Sequence, residues 1–152
     1  MILDKMLEFS SAQAAFASGA DVVSTNIYDT GAVGVGTTGA SGNAYDVGIG
    51  ETLFVFAKTV AAVTGGTSIQ VVVQDSADGT TGWTDKEAGP VVPVASATAN
   101  AVLAKIRLPI GLRRYIRLAY RNVGANAAGT VSSWINKDVE ALQYGASGFT
   151  VA

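Results

Sequence analysis

Cysteine and histidine are both absent from the 152 residues of this chain. Without cysteine there is no disulfide framework, and no thiolate is available as a nucleophile or a zinc ligand. Without histidine the chain lacks the commonest general base and the commonest protein metal ligand. Most schemes that pair a nucleophile with histidine are therefore excluded within one chain. We expect no enzymatic activity, no small-molecule substrate, no cofactor and no metal.

Charged residues are also scarce, at 14% of the chain, whereas average soluble domains carry about 25%. Hydrophobic residues make up 49% and the mean hydropathy is +0.34, so a chain of this length can bury a sizeable core as one domain. Many surface positions must then be small or apolar. Such a surface favours permanent contact with other protein chains over life as a free monomer.

Long apolar runs are missing as well. Stretches such as Leu53 to Ala57 fall far short of the ~20 residues that a membrane-spanning helix needs. The start of the chain has no positively charged segment leading into an apolar run, so we expect no signal peptide and no membrane partner. The absence of cysteine fits assembly in the cytoplasm.

The charges that are present are unevenly placed. Six positive residues and no acid lie between Lys105 and Arg121, while the remainder holds four lysines and all twelve acids, a net charge of 4 − 12 = −8. This separation predicts an oriented electrostatic contact with a partner. The sequence pI of about 4.9 lacks the basic character of nucleic-acid binders, so we expect no nucleic acid.

Alternating apolar and polar residues indicate strands over most of the chain. Ile69, Val71 and Val73 alternate with glutamines, and Ile116, Leu118 and Tyr120 alternate with arginines. Turn signals such as Asp75 to Gly79 and Pro109 to Gly111 separate these runs. About eight such strands at roughly 8–12-residue spacing predict an all-β fold, an antiparallel β-sandwich or jelly roll.

Both ends of the chain are expected to be arms. Residues 1–20 form the predicted N-terminal arm, residues 21–137 the sandwich with a glycine-rich loop at 30–50, and residues 138–152 a C-terminal arm or, as the alternative, a final strand. The arms carry apolar side chains that would be poorly placed in solvent. We expect these side chains to contact other chains: Met6, Leu7, Phe9, Phe16, Tyr144 and Phe149.

The arginines are the second group of candidate contact residues. Arg113, Arg117 and Arg121 share one strand parity, opposite to the apolar residues between them. Like charges on one face repel unless anions lie opposite. We therefore predict that the arginines line one side of a strand pair and meet acidic groups on another chain; pairing with acids of the same chain is the alternative. The residues concerned are Arg107, Arg113, Arg114, Arg117 and Arg121.

Four local patterns resemble specific binding or catalytic sites. Gly34, Gly36 and Gly39 fit a dinucleotide-binding spacing by letter, but no helix follows and no βαβ unit surrounds them. Asp75 and Asp78 resemble half a calcium loop without its distal glutamate, which predicts a plain turn. Trp83 beside Asp85 is the one candidate platform for a glycan, and Asp85 with Glu87 the one candidate pair of catalytic carboxylates.

Short motifs in a fixed order carry a resemblance to a known family. They are "MILDKMLEFSSAQA", "STNIYDTG", "GIGETLFV", the "VVVQDSADG…W" hairpin and "LPIGLRRYIRLAYRNVG…AGTVSSWI". Together, over roughly residues 1–137, they resemble the small capsid cement, or decoration, proteins of tailed bacteriophages. The longer glycine-rich loop at 30–50 departs from that pattern.

The resemblance implies a jelly-roll sandwich that assembles as a homotrimer on the outer surface of the virion. Its partner would be the major capsid protein, whose neighbouring subunits it would clamp, after synthesis in the host cytoplasm. The arm residues and arginines named above would then contact the capsid or another subunit. The alternative is a jelly-roll receptor- or carbohydrate-binding module of a phage tail, because a fold does not fix a function.

Overall fold

A computed structural model describes residues 5–16, 19–31 and 52–137 of the chain. The described part contains nine strands and two short 3-10 helices, Lys5–Leu7 and Val94–Ser96. The strands are β1 (Glu8–Gln13), β2 (Val22–Val23), β3 (Tyr28–Asp29), β4 (Phe54–Gly65), β5 (Ser68–Ser76), β6 (Thr84–Pro93), β7 (Val102–Arg107), β8 (Tyr115–Val123) and β9 (Asn126–Asn136). The all-β prediction is confirmed. Neither 3-10 segment has the length or apolarity that a membrane span requires.

The strands form two antiparallel sheets that pack as a sandwich. Sheet I has the order β1-β9-β4-β7, and sheet II has the order β2-β8-β5-β6, with β3 also pairing with β8. The edge strands β6 and β7 lie next to each other at one side of the sandwich. This arrangement leaves each sheet with one face toward the shared core and one outer face.

The core follows the two-residue alternation of the sequence. Ile69, Val71 and Val73 of β5 are at most 1% exposed, as their alternation predicted. Ile116, Leu118 and Tyr120 of β8 are fully buried, whereas the intervening Arg117 and Arg121 remain half-buried on the outer face. The predicted inward parity of these strands is therefore confirmed.

The N-terminal segment is a strand of the sandwich, which corrects the prediction of an arm over residues 1–20. Glu8–Gln13 pairs with β9, and Phe9 and Phe16 are 1% and 0% exposed. The Phe16 ring packs edge-on against Tyr120 at 5.9 Å. Two register shifts interrupt β1, so its burial does not alternate and its sequence does not read as a strand. Phe9 and Phe16 are core residues and are withdrawn as contact candidates.

The two basic strands lie in opposite sheets, which corrects the predicted strand pair. β7 pairs with β4 in sheet I, and β8 pairs with β5 in sheet II. The connection through Pro109 and Gly111 crosses from one sheet to the other instead of closing a hairpin. Arg107 and the arginines of β8 therefore lie on opposite outer faces, separated by more than the ~10 Å between two packed sheets.

The remaining expectations have mixed outcomes. Residues 21–29 alternate in sequence like a single strand but form two short strands, and Val23 and Ile27 are exposed. Val91 to Pro93 belong to β6, an edge strand, whereas Val94 begins the second 3-10 helix. Tyr144, Phe149 and the C-terminal segment 138–152 lie outside the described residues, as does most of the 30–50 loop.

Candidate interaction surfaces

A buried carboxylate closes one end of the sandwich. The side chain of Asp75, at the end of β5, is 0% exposed. Arg113 donates its backbone N–H to Asp75 Oδ2 at 2.9 Å and its Nε–H to Asp75 Oδ1 at 2.8 Å. Thr84 Oγ1 donates to Oδ1 at 2.8 Å, and Lys86 Nζ lies 3.4 Å from Oδ2. Arg113 Nη2 donates to Oδ1 as well, at 2.6 Å, so five donors from two segments, the one before β8 and the start of β6, surround one carboxylate.

This arrangement decides the charge state of Asp75 and the position of the loops around it. Burial raises the pKa of Asp75, but the hydrogen bonds from Arg113 and Thr84 outweigh it and hold that pKa below its ordinary value. Arg113 Nη2 also donates to the carbonyls of Asp75 and Gly82 at 2.6 and 2.8 Å. Asp75 is therefore an internal ion-pair centre, which corrects its interpretation as a turn residue.

Asp78 has the structural role that its sequence predicted. Its Oδ1 accepts the backbone N–H groups of Thr80 and Thr81 at 2.8 Å each, and Thr81 Oγ1 donates to Oδ2 at 2.6 Å. These hydrogen bonds lower the pKa of Asp78. The residues form a plain turn, and the described ranges hold no cluster of three or more acidic side chains suited to a metal.

A second ion pair fastens β3 to β8. Arg114 Nε and Nη2 donate to the two carboxylate oxygens of Asp29 at 2.7 and 2.8 Å, a bidentate arrangement. The hydrogen bond from Arg114 lowers the pKa of Asp29. The Arg114 guanidinium carbon also lies 4.8 Å from the Tyr115 ring centroid. This pair joins two segments 85 residues apart.

The outer face of sheet II carries a connected row of polar and aromatic side chains. The guanidinium of Arg117 covers the Trp83 ring at 4.0 Å, and its Nε–H donates to Gln74 Oε1 at 2.9 Å. Gln74 Nε2 in turn donates to Asp85 Oδ1 at 2.8 Å. The other Asp85 oxygen pairs with Arg121. One face of Trp83 and both Asp85 oxygens are thereby occupied, which disfavours this pair as a glycan platform.

These contacts support the intrachain explanation for three of the five arginines. Arg113, Arg114 and Arg121 pair with acids of the same chain, as the intrachain alternative expected. Arg117 lies against Trp83 and is partly desolvated, which lowers its pKa. That these four arginines meet acids of another chain stays a prediction, while three of them already have an acidic partner in their own chain. The cause is that β3, β5 and β6 supply acids to the same side of the molecule.

A buried hydroxyl chain links the two sheets. Tyr120 OH of β8 lies 2.6 Å from Ser10 Oγ of β1 and 2.6 Å from Ser133 Oγ of β9. Ser10 Oγ donates to Gln13 Oε1 at 2.6 Å. Because the Ser10 hydroxyl proton is donated to Gln13, Ser10 Oγ accepts a hydrogen bond from Tyr120 OH. Tyr120 OH in turn accepts one from Ser133 Oγ. Burial raises the pKa of Tyr120 to about 12, against the opposing effect of these hydrogen bonds.

The outer face of sheet I has a different character. Strand register places Glu8, Trp134, Phe56 and Lys105 in one row across β1, β9, β4 and β7. The Phe56 and Trp134 rings lie 5.0 Å apart at 47°, and both side chains are 3% exposed. Trp134 Nε1 is buried and has no hydrogen-bond partner among the residues that the structure describes. An aromatic pair thus lies between an acid at one edge and a base at the other.

The basic residues of β7 remain available for contact. Lys105 and Arg107 are exposed, and neither forms an ion pair with any described residue. Arg107 lies opposite Phe54 in the next row of the same face. Of the five arginines predicted to contact another chain, Arg107 alone has no charge partner or stacked ring within the described ranges.

Of the four N-terminal residues predicted to contact other chains, all lie in the described part of the chain and one has an exposed side chain. Met6 is 83% exposed, whereas Leu7 is partly buried against the core. Exposed apolar side chains also occur at Val91, Val102 and Ile110, near the β6 and β7 edges. Sequence alternation places Val102 on the same face as Ala104 and Ile106, but a register shift in β7 turns it outward.

One comparison with known proteins gives a result. No curated protein matches the chain. A family model, Bbp16, matches residues 9–135, which extend from β1 to β9. Because the match spans the described sandwich almost completely, the chain belongs to the Bbp16 family.

Proposed function

We propose that this chain is a capsid decoration protein of a tailed bacteriophage. It binds the outer surface of the assembled capsid and stabilises the shell by clamping neighbouring major capsid subunits. The observation that carries the proposal is the Bbp16 match over residues 9–135. That family supports a phage-related structural protein, and the match covers nearly the same stretch as the resemblance to cement proteins.

The ion pairs within the chain support a structural role. Asp75, Asp29 and Asp85 are each paired with an arginine of the same chain. These pairs join turns and edge strands to the sandwich, so the binding surface is ordered before a partner arrives. Preorganisation of this kind reduces the entropic cost of association.

The stabilisation would follow from mass action. A protein that binds the assembled shell and not its separated subunits stabilises the shell by RT ln(1 + [L]/Kd). Several copies joined in one oligomer raise the effective concentration of each contact. The homotrimer implied by the resemblance is the assembly that we propose.

Co-sedimentation with purified shells tests the proposal. The protein should pellet with the mature, expanded shells of its phage, saturate a fixed number of sites, and raise the temperature at which the shells disrupt. Isolated major capsid subunits provide the control and should not bind. Absence of binding to expanded shells at tens of micromolar protein would refute the function.

The oligomeric state is tested separately. Light scattering of the free protein at micromolar concentration should give about three times the 15.4 kDa chain mass. The mass of the species released from shells by mild denaturant gives the state on the capsid. Chains found singly in both measurements would contradict the trimer while leaving capsid binding intact.

A further inference from the structure

The two edge strands of the sandwich meet at a groove. β6 is the edge of sheet II and β7 the edge of sheet I. Gly89 of β6 lies so close to β7 that a Cβ added there would be 3.0 Å from Ala104 Cβ and 3.1 Å from Ile106 Cδ1. Beside this contact lies a groove of about 520 Å³, whose walls include Glu87, Pro90, Lys105, Arg107 and Ile110.

The backbone of β7 is open on the groove side. Leu108 donates its N–H to Leu53 O of the β4 segment at 2.9 Å. In an antiparallel ladder alternate residues point to the same neighbour, so Ile106 points to β4 as well. The N–H and C=O groups of Lys105 and Arg107 therefore point away from β4. In the described part of the chain β7 has no other strand partner.

The two edges differ in their capacity to accept another strand. β6 contains Pro90 and Pro93, which lack an N–H and interrupt any added ladder. β7 contains no proline over Val102–Arg107. The unpaired edge that can bind an extended segment is therefore β7.

The charges on β7 select what kind of segment can bind there. Lys105 and Arg107 are two residues apart, so their side chains lie on one face about 6.6 Å from each other. Glu87 lines the same groove from β6 but forms no ion pair with either within the described residues. Pairing β7 with a second copy of itself would bring like charges together, which is destabilising.

We propose that the β7 edge binds an extended acidic segment of the major capsid protein by strand addition. The segment's backbone pairs with Lys105 and Arg107, and two carboxylates at alternate positions face their side chains. The cations that prevent self-association thus become the specificity element for an acidic partner. This inference rests on the proposed function, because it names the capsid segment that the decoration protein recognises.

Hydrogen exchange on shell-bound protein tests the strand addition. In the free protein the amides of Lys105 and Arg107 should exchange quickly, because they have no strand partner within the described ranges. On shells their exchange should slow at least tenfold, while the amide of Leu108, already bonded to Leu53, changes little. Unchanged exchange at Lys105 and Arg107 on saturated shells would overturn the proposal.

Charge reversal tests the specificity. Lys105→Glu should weaken shell binding at least tenfold and leave the melting temperature unchanged, because its side chain is exposed and has no ion pair within the described residues. Lys5→Glu is the matched control: it makes the same change near the opposite edge of sheet I, where shell affinity should stay within twofold. Equal losses for both variants would mean that net charge alone governs binding, and would overturn the site.

The outcomes separate this inference from the function on which it rests. If wild-type protein binds shells and Lys105→Glu binds equally well, the function stands and the β7 site fails. If wild-type protein does not bind expanded shells at all, both fail. If wild-type protein binds and Lys105→Glu does not, hydrogen exchange on the capsid subunits of saturated shells identifies the segment, which should carry acids at positions i and i+2.

Discussion

The guanidinium of Arg117 lies 4.0 Å from the centre of the Trp83 ring, on the outer face of sheet II. The same side chain donates Nε–H to Gln74, so its orientation is fixed by two neighbours. Cation–π pairs of this kind contribute about 1 kcal/mol when partly desolvated. Arg117 therefore stabilises the turn before β6 against β5 and β8, and its charge is used within the chain.

Arg117→Ala should lower the melting temperature by a few degrees, because it removes the stacked cation and leaves Gln74 without its donor. A double-mutant cycle with Trp83→Ala should give a coupling of about 1 kcal/mol. Arg107→Ala is the control and should leave the melting temperature unchanged. Additive effects in the cycle would show that the ring and the cation do not interact in solution.

Asp75→Asn should cost about 3 kcal/mol of unfolding free energy, because Arg113 and Lys86 would lose a buried counter-charge. The effect depends on pH. The pKa of Asp75 is lowered in the folded state, so its contribution is complete above the unfolded value of about 3.9 and is lost as pH falls below it.

Urea unfolding between pH 3 and pH 7 measures this contribution. Wild-type stability should fall in the acid range, and the fall should be smaller in Asp75→Asn. Glu87→Gln makes the same chemical change at an exposed carboxylate of β6 and should follow the wild-type curve. Parallel acid limbs for wild type and Asp75→Asn would rule out Asp75 as the responsible group.

The sequence predicted the regular parts of this fold well. The inward triplet Ile116, Leu118 and Tyr120 follows a strict alternation, and the structure buries all three. Phe9 escaped the same reasoning because register shifts in β1 break the alternation, and Phe16 because it lies after β1 in a segment without a strand. The buried state of Asp75 could not be predicted either, since Arg113 lies 38 residues away in sequence.

The surface of the molecule was harder to predict than its core. The turn signal at Pro109 to Gly111 marks a change of direction, but the same residues serve a hairpin within one sheet or a crossing between two. The structure has the crossing, which places Arg107 and Arg121 on opposite faces. The basic residues that cluster in the sequence are therefore divided between two faces of the molecule. Lys105 and Arg107 are the basic residues that remain as candidate contacts.

Tyr120→Phe should lower the unfolding free energy by about 1–3 kcal/mol, because Ser10 and Ser133 would lose a buried hydrogen-bond partner. The pKa of Tyr120 is raised to about 12 in the folded state. Its contribution is thus complete below the unfolded value of about 10 and is lost as pH rises from there toward 12. Wild-type stability should decline over this range more steeply than that of the variant.

Tyr115→Phe is the control for this alkaline effect, since Tyr115 is half-buried on the outer face of sheet II. It should keep the wild-type dependence on pH. Absorbance of the tyrosinate provides a second measurement, in which one tyrosine should ionise only together with unfolding. If all tyrosines ionise before the protein unfolds, Tyr120 is accessible and the hydroxyl chain is not closed.

Phe9→Ala tests whether the N-terminal segment belongs to the sandwich. Phe9 is 1% exposed, and truncating a buried phenylalanine costs about 3–5 kcal/mol through lost burial and a residual cavity. Met6→Ala, three residues earlier and 83% exposed, should cost almost nothing. Chemical denaturation of both variants gives the comparison, and shell co-sedimentation of Met6→Ala shows whether that exposed side chain contacts the capsid. If Phe9→Ala lowers the free energy of unfolding only slightly, the segment is an arm, because a large loss is expected only when the Phe9 side chain is packed in the core.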